Sequence, residues 1–312
     1  MIAFGPVPSR RLGKSLGINN ITSPKVCSYN CIYCQVGTTR NQSEELRDFF
    51  NPEDILKEVT THLEKLQEPD YPDYLTFVSN GEPTLDRQLG QTARMLKGLG
   101  FPIALISNAS TLKHEVVRQS LAEFDWISLK MDAPDQDTWR QINRPHPSLN
   151  FDQTMQCIYL FSNRYRGILC TETMLVQGIN DRKETLEQLA GMIAKLSPAK
   201  AYISIPTRPP AVKNVSIPTP EKINEAWQIF HARHPETELL TSFEGTDTGF
   251  TGNAFQDILE TTAVHPLRED AMKRLLERNR ADFTVVNQLR EMHLIKAVSY
   301  QGHTFYLRNY LV

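Results

Sequence analysis

The sequence has no long apolar run, no marked charge excess and few cysteines, and each of these lacks closes off a class of protein. Its apolar stretches are strand-sized, well short of the roughly 20 residues that a membrane helix needs. The opening Met1-Ile-Ala-Phe-Gly-Pro-Val-Pro-Ser-Arg-Arg11 places Pro and Gly where a signal peptide keeps an unbroken apolar stretch, so a cytoplasmic location is expected. A net charge of −2 and a pI of about 6.5 give no bulk pull toward nucleic acid or an anionic membrane; only a local basic patch would serve RNA. Five cysteines are too few, and odd in number, for a disulfide framework.

What is present fits a globular chain of 312 residues, enough for one large domain and a small one, with 40% hydrophobic and 22% charged residues. Short apolar segments at Leu16–Ile21, Tyr74–Val78, Ile103–Ser107, Trp126–Lys130, Ile168–Val176 and Ala201–Ile205 read as parallel strands buried on both faces. Amphipathic segments lie between them. The clearest starts at Asn51-Pro52-Glu53-Asp54, with a capping Asn, Pro in the first turn and acids at the positive helix end, and repeats Ile55, Leu56, Val59, Leu63 and Leu66 at helical spacing. Leu85–Leu99, Thr111–Glu123, Phe151–Phe161 and Lys183–Leu196 read as later helices. Six β/α units in a row predict an α/β fold with a parallel sheet; periodicity alone leaves open whether it closes.

The pattern changes after residue 206. Pro209, Pro210, Pro218 and Pro220 predict an extended connection over 207–264, in which the Gly-rich Phe243–Gly252 is either a lid or a surface linker. Residues 265–312 read as a separate module. Ala271–Arg278 and Thr284–Met292 suggest two helices, and Ile295–Tyr300 and Thr304–Leu307 a hairpin about Gln301-Gly302, together a winged-helix-like α+β unit. From Arg268 to Val312 it carries eight Lys/Arg against five Asp/Glu, mildly basic and as compatible with protein contact or packing as with nucleic acid.

Chemistry is concentrated at Cys27, Cys31 and Cys34. One tight loop with this spacing can wrap three thiolates around an iron–sulfur cubane, leaving the fourth iron open to bind a small molecule. A four-ligand zinc site would lack its fourth local donor, for which His62 is a candidate, so spacing alone leaves both metals open. Cys157 and Cys170 sit in apolar surroundings and read as core, which argues against a second cluster. Leu12-Gly13-Lys14-Ser15 ends like a P-loop, but Pro8 stands where the first Gly belongs and a strand follows, so no nucleoside-triphosphate site is expected.

Val26-Cys-Ser-Tyr-Asn-Cys-Ile-Tyr-Cys-Gln35 resembles the CxxxCxφC signature of radical S-adenosylmethionine (SAM) enzymes. Further resemblances to that superfamily follow one per strand. Asn80-Gly81-Glu82-Pro83-Thr84 is similar to its GGEP motif, with Asn for the first Gly; Ser107-Asn108 resembles a SAM-contacting pair; Ser128-Leu-Lys130-Met-Asp132 resembles the Asp/Lys strand end of activase-like members; Val176–Asp181 resembles the turn after the fifth strand. The likeness covers about residues 10–206. It implies a partial (β/α)6 TIM-like barrel with one [4Fe-4S] cluster on Cys27, Cys31 and Cys34. SAM would be contacted by Tyr33, Gly81, Glu82, Pro83, Asn108, Lys130 and Asp132. As plain structure, Glu82-Pro83 is a helix start, Asn108 a cap and Asp132 a turn former.

The resemblance also implies that the reduced cluster splits SAM into methionine and a 5′-deoxyadenosyl radical, fed by a one-electron donor of flavodoxin or ferredoxin type. Phe4–Gly17 resembles the lead-in of the group related to wybutosine-type tRNA-modifying enzymes, in which Arg10, Arg11 and Lys14 would meet an anionic substrate or form a solvated basic turn. Three readings of the function follow. RNA or a nucleotide-like molecule is modified, or a partner protein receives a glycyl radical, or the chain is a zinc-stabilised winged-helix regulator that leaves the β/α units unexplained. The substrate, the catalytic residues and the oligomeric state are not legible.

Overall fold

The structure, a computed structural model, describes residues 2–309. The strands are β1 (Ala3–Ser9), β2 (Gly13–Ile18), β3 (Val26–Cys27), β4 (Asn41–Gln42), β5 (Tyr74–Phe77), β6 (Ile103–Ser107), β7 (Trp126–Lys130), β8 (Ile168–Met174), β9 (Lys200–Ser204), β10 (Thr237–Leu240), β11 (Leu267–Arg268), β12 (Ile295–Tyr300) and β13 (His303–Arg308). The helices are α1 (Pro52–Lys65), α2 (Leu89–Lys97), α3 (Glu115–Leu121), α4 (Gln136–Ile142), α5 (Phe151–Ser162), α6 (Lys183–Leu196), α7 (Pro220–Arg233), α8 (Ala254–Val264), α9 (Glu269–Arg278) and α10 (Phe283–Glu291).

Eight strands form one curled sheet in the order β1-β2-β5-β6-β7-β8-β9-β10, a partial barrel. Pairing is parallel from β2 to β10; only β1 runs antiparallel, against β2. Strand alternation builds two layers. Ile103, Leu105, Ile127 and Leu129 face outward into the main core under the helices, whereas Ala104, Trp126, Cys170 and Tyr202 face inward and pack on one another. Higher along the inner face the residues turn polar: Ser15 Oγ donates to Thr76 Oγ1 at 2.7 Å, and Lys130, Glu172 and Ser204 follow at the carboxyl ends of β7, β8 and β9.

All six expected strands are present. Two edge strands were not anticipated. Pro6 and Pro8 make β1 look unlike a strand, yet an edge tolerates Pro because the missing N–H faces no ladder partner. Residues 207–264, expected to be extended, contain α7, β10 and α8: Thr219 caps Lys222 N at 3.4 Å and Pro220 opens α7, so the prolines mark a helix start. Asn51 precedes α1 in extended conformation but its side chain makes no capping hydrogen bond.

After α8, the three-stranded antiparallel sheet β11-β13-β12 packs with α9 and α10 around its own buried cluster, which includes Ile258, Met272, Leu275, Val286, Leu289 and Ile295. This part is docked on the barrel. Val264 packs with Phe4 and Val7, Arg278 pairs with Asp70, and Tyr300 Oη donates to Pro206 O at 2.8 Å. Among the described residues no helix is long and apolar enough to cross a membrane.

Candidate active site at the barrel mouth

The cysteine loop leaves β3 and lies across the carboxyl end of the sheet. Its backbone is fixed from two sides: Glu82 N donates to Val26 O at 3.1 Å, and Ile32 N donates to Ile142 O at 3.0 Å. Gly81 touches the same Val26, with φ at +148° and a virtual Cβ only 1.8 Å from Val26 O. Only glycine permits that approach.

The three sulfurs line one cavity of ≈ 270 Å³ at the mouth, and each meets its own donors. Cys27 Sγ faces Tyr29 N at 3.4 Å and Asn108 Nδ2 at 3.7 Å, Cys31 Sγ accepts from Asn143 Nδ2 at 3.4 Å, and Cys34 Sγ accepts from Lys25 Nζ at 3.1 Å. Desolvation pushes the Cys27 thiol up and the Cys31 thiol up to about 12; at Cys34 desolvation is outweighed by Lys25, which pulls the thiol below its ordinary value. Among the described residues no three His, Cys, Asp or Glu side chains converge on a point that a single ion would occupy. A cubane gives each of three thiolates its own iron, so three cysteines suit a cluster, whereas a four-ligand zinc site would need a further donor. His62, the candidate fourth zinc ligand, is instead buried on α1 with Nε2 2.8 Å from Gly5 O.

Of the residues expected to touch SAM, Tyr33, Gly81 and Lys130 line the cavity with the cysteines. Glu82, Pro83, Asn108 and Asp132 do not, because they are built into the scaffold behind it. The Glu82 carboxylate accepts from Thr84 Oγ1 at 2.6 Å, Ser107 Oγ at 2.7 Å and Asn108 N at 2.8 Å, tying β5 to β6. Asp132 accepts from Tyr33 Oη, from Asn143 Nδ2 at 2.7 Å and from Met174 N at 2.8 Å, so it steadies the cysteine loop. Lys14 is not at the mouth either; its ammonium donates to Pro69 O.

Sequence reasoning named Arg10, Arg11 and Lys130 but missed the carboxylates that pair with them, along with Arg208 and His265. Glu172, 2% exposed, pairs with Arg11 and, at 2.7 Å, with Lys130, and accepts from Ser204 Oγ at 2.9 Å. Burial alone would raise its carboxyl; Arg11 and Lys130 overcome that and hold it well below the carboxylate range. Glu244 pairs with Arg208 and, at 3.2 Å, with Arg10, and is held low in the same way. Desolvation and Arg208 push His265 down to about 3, so it is neutral at pH 7. The alternation of β8 held the signal for Glu172: it shares a face with Cys170 and Met174, opposite Lys130 in register. Arg208, Glu244 and His265 come from segments whose tertiary placement no local pattern encodes.

A parallel half-barrel with three cysteines at its carboxyl end is the frame of one enzyme class, and comparison with known proteins agrees. Residues 21–190 match the radical SAM superfamily, and the chain belongs to it. It is therefore a radical SAM enzyme, of a class that uses a [4Fe-4S] cluster to cleave SAM to a radical. Over 311 residues it is 44% identical to UPF0026 protein MJ1312 of Methanocaldococcus jannaschii, covering 99% of this chain and 96% of that protein, which places it in the UPF0026 family. An S-adenosylmethionine-dependent nucleotide dehydratase of Flammeovirga pacifica is 26% identical over 163 residues, half of this chain and 54% of that one. The fold is similar to that of a radical SAM methyltransferase from Sphaerobacter thermophilus, with a TM-score of 0.54 and 18% identity over 73% of this chain and 67% of that chain.

Proposed function

We propose that Cys27, Cys31 and Cys34 hold a single [4Fe-4S] cluster, that SAM lies against Tyr33, Gly81 and Lys130, and that the substrate is nucleotide-like. One observation carries the reading: three cysteine sulfurs, each with its own hydrogen-bond donor, line a single cavity beside Gly81. When bound, the cluster supplies the electron that splits SAM into methionine and a 5′-deoxyadenosyl radical. The protein's part is to orient and enclose. Glu82, Pro83, Asn108 and Asp132 serve SAM by positioning Gly81, the cysteine loop and Tyr33. Gln35 holds Val264 and Tyr300 holds Pro206, and Val264 and Pro206 both line the cavity. A low-potential one-electron donor, of flavodoxin or ferredoxin type, is required.

The nucleotide-like substrate is supported by the relation to the nucleotide dehydratase and by the arginines at the mouth. The division into a barrel core over 1–206, a connection over 207–264 and a module over 265–312 is adjusted by α8, which packs with the module. The order helix, strand, helix, helix, strand, strand from 254 onward supports reading that module as winged-helix-like.

The test is spectroscopic. Anaerobically reconstituted and reduced protein should show a [4Fe-4S]+ electron paramagnetic resonance signal that shifts on adding SAM, and should form 5′-deoxyadenosine. Cys31→Ala should lose both. A colourless, zinc-containing protein that leaves SAM intact would refute the proposal.

A further inference from the structure

The cationic groups at the mouth form two triads, each with two cations around one carboxylate. The inner triad is Arg11–Glu172–Lys130, and Lys130 Nζ lies 5.6 Å from the centre of the Tyr33 ring, on the side of the cysteine loop. The outer triad is Arg10–Glu244–Arg208, at the rim. Each triad thus sets two cations against one carboxylate, and since the inner one includes Lys130, placed against SAM, the outer triad is the one whose single excess charge is left for another anion. Lys25 does not enter this count, because its ammonium is engaged by Cys34 and by Gly37 O at 2.6 Å. His265 cannot offset the excess; it stays neutral and stands 3.2 Å from Arg208 Nη2.

Besides Glu244, Glu172 offsets Arg10, but that carboxylate is already shared by Arg11 and Lys130. Arg10 Nε is buried without a hydrogen-bond partner at the rim, as is Arg11 Nε in the inner triad. Burial lowers Arg10 from its ordinary value, with Arg11 and Arg208 adding to the effect against Glu244. Like charges held together in a partly desolvated cavity are costly unless an anion completes the arrangement. Two guanidiniums around one space suit a phosphate group, which would take the N–H groups left over once Arg10 Nη1 has bound Leu240 O and Ser242 O and Arg208 has bound Gln35 Oε1, Glu244 and His265.

The triad is also joined to the reaction centre. Arg208 Nη1 donates to Gln35 Oε1 at 2.6 Å, and Gln35 directly follows Cys34. Gln35 Nε2 in turn donates to Val264 O at 2.8 Å, which fastens the closing segment over the cavity. A group anchored at Arg10 and Arg208 therefore sits within a side chain's reach of the cysteine loop.

We propose that Arg10 and Arg208, bridged by Glu244, form the subsite for the phosphate or diphosphate group of a small phosphorylated substrate such as a nucleotide. The inference rests on the mouth being the substrate's entrance and sharpens that reading to a phosphate ester. Glu244 bridges the two guanidiniums, and the incoming phosphate takes up the N–H groups and the charge that the single carboxylate leaves over.

The test is a calorimetric titration of the full chain with inorganic pyrophosphate, adenosine 5′-monophosphate and adenosine, on cluster-free and on reconstituted protein, with and without saturating SAM. Pyrophosphate and the monophosphate should bind, and adenosine about tenfold or more weakly than its phosphate. Arg208→Gln should weaken pyrophosphate binding about tenfold or more, and Arg208→Lys should recover part of it. Arg10→Gln should do the same; because Arg10 also holds Leu240 O and Ser242 O, Arg208→Gln carries the test if that variant does not fold. Three results would overturn the proposal: pyrophosphate binding indifferent to Arg208, displacement of pyrophosphate by SAM, or binding of an RNA oligonucleotide without binding of pyrophosphate. Loss of the cluster signal would refute the cluster reading alone, since the titration is also read on cluster-free protein.

Discussion

Gly81→Ala is expected to destabilise the protein by about 4 kcal/mol, as large an effect as any single methyl group can have here. Its Cβ would fall 1.8 Å from Val26 O and 2.8 Å from Val26 C, both backbone atoms that cannot swing aside, at a φ of +148° that suits glycine. Relief requires moving either the end of β5 or the start of the cysteine loop, which are joined by Glu82 N to Val26 O. Denaturant unfolding of the cluster-free protein would show a lower midpoint at an unchanged slope. Alkylation of the three cysteines should also quicken as the loop loosens. A midpoint within the error of the wild type would mean that Val26 and Gly81 do not meet as described.

The second large effect is at Glu172. Glu172→Gln keeps the shape but leaves Arg11 and Lys130 without their shared counter-charge, at a cost of about 3 kcal/mol near neutral pH. The pH dependence fixes the cause. Arg11 and Lys130 hold the folded-state carboxyl below its unfolded value of about 4.3, so its stabilisation is full above that pH and drains away as pH falls toward the folded-state value. The wild type should therefore lose stability faster than Glu172→Gln below about pH 4, and the two curves should converge. Parallel curves across the acid range would show that the triad is not what stabilises this end of the barrel.

The parts of the fold that depend on local pattern were legible in the sequence. The six inner parallel strands are apolar runs of four to seven residues, and α6 spans the expected Lys183–Leu196. Edge elements were not legible, because β1 carries two prolines and β10 only four residues with Glu238 among them. Nor was α7, whose Pro220 reads as a breaker until its Thr219 cap is recognised. At the site, the cysteine spacing and the Gly81 turn announce themselves because chemistry and backbone strain restrict the residues allowed. Glu82 and Asp132 were visible as residue types, yet their direction was not. A buried carboxylate at a strand end can satisfy neighbouring backbone and hydroxyl groups as well as a ligand, and Glu82 and Asp132 each hold such protein partners.

The contacts that close the mouth have a property in common: they join residues far apart along the chain. Arg10 holds Leu240 O and Ser242 O, Gln35 holds Val264 O, and Pro206 O receives Tyr300. The cysteine loop and its supports at Gly81, Asn108 and Asn143 all precede these closing partners in order of synthesis. Chains acquire structure from the N-terminus as they emerge from the ribosome. The cysteine loop and its supports are thus made before their partners at Leu240, Ser242, Val264 and Tyr300. Assembly has a direction: the mouth can be furnished first and shut afterwards.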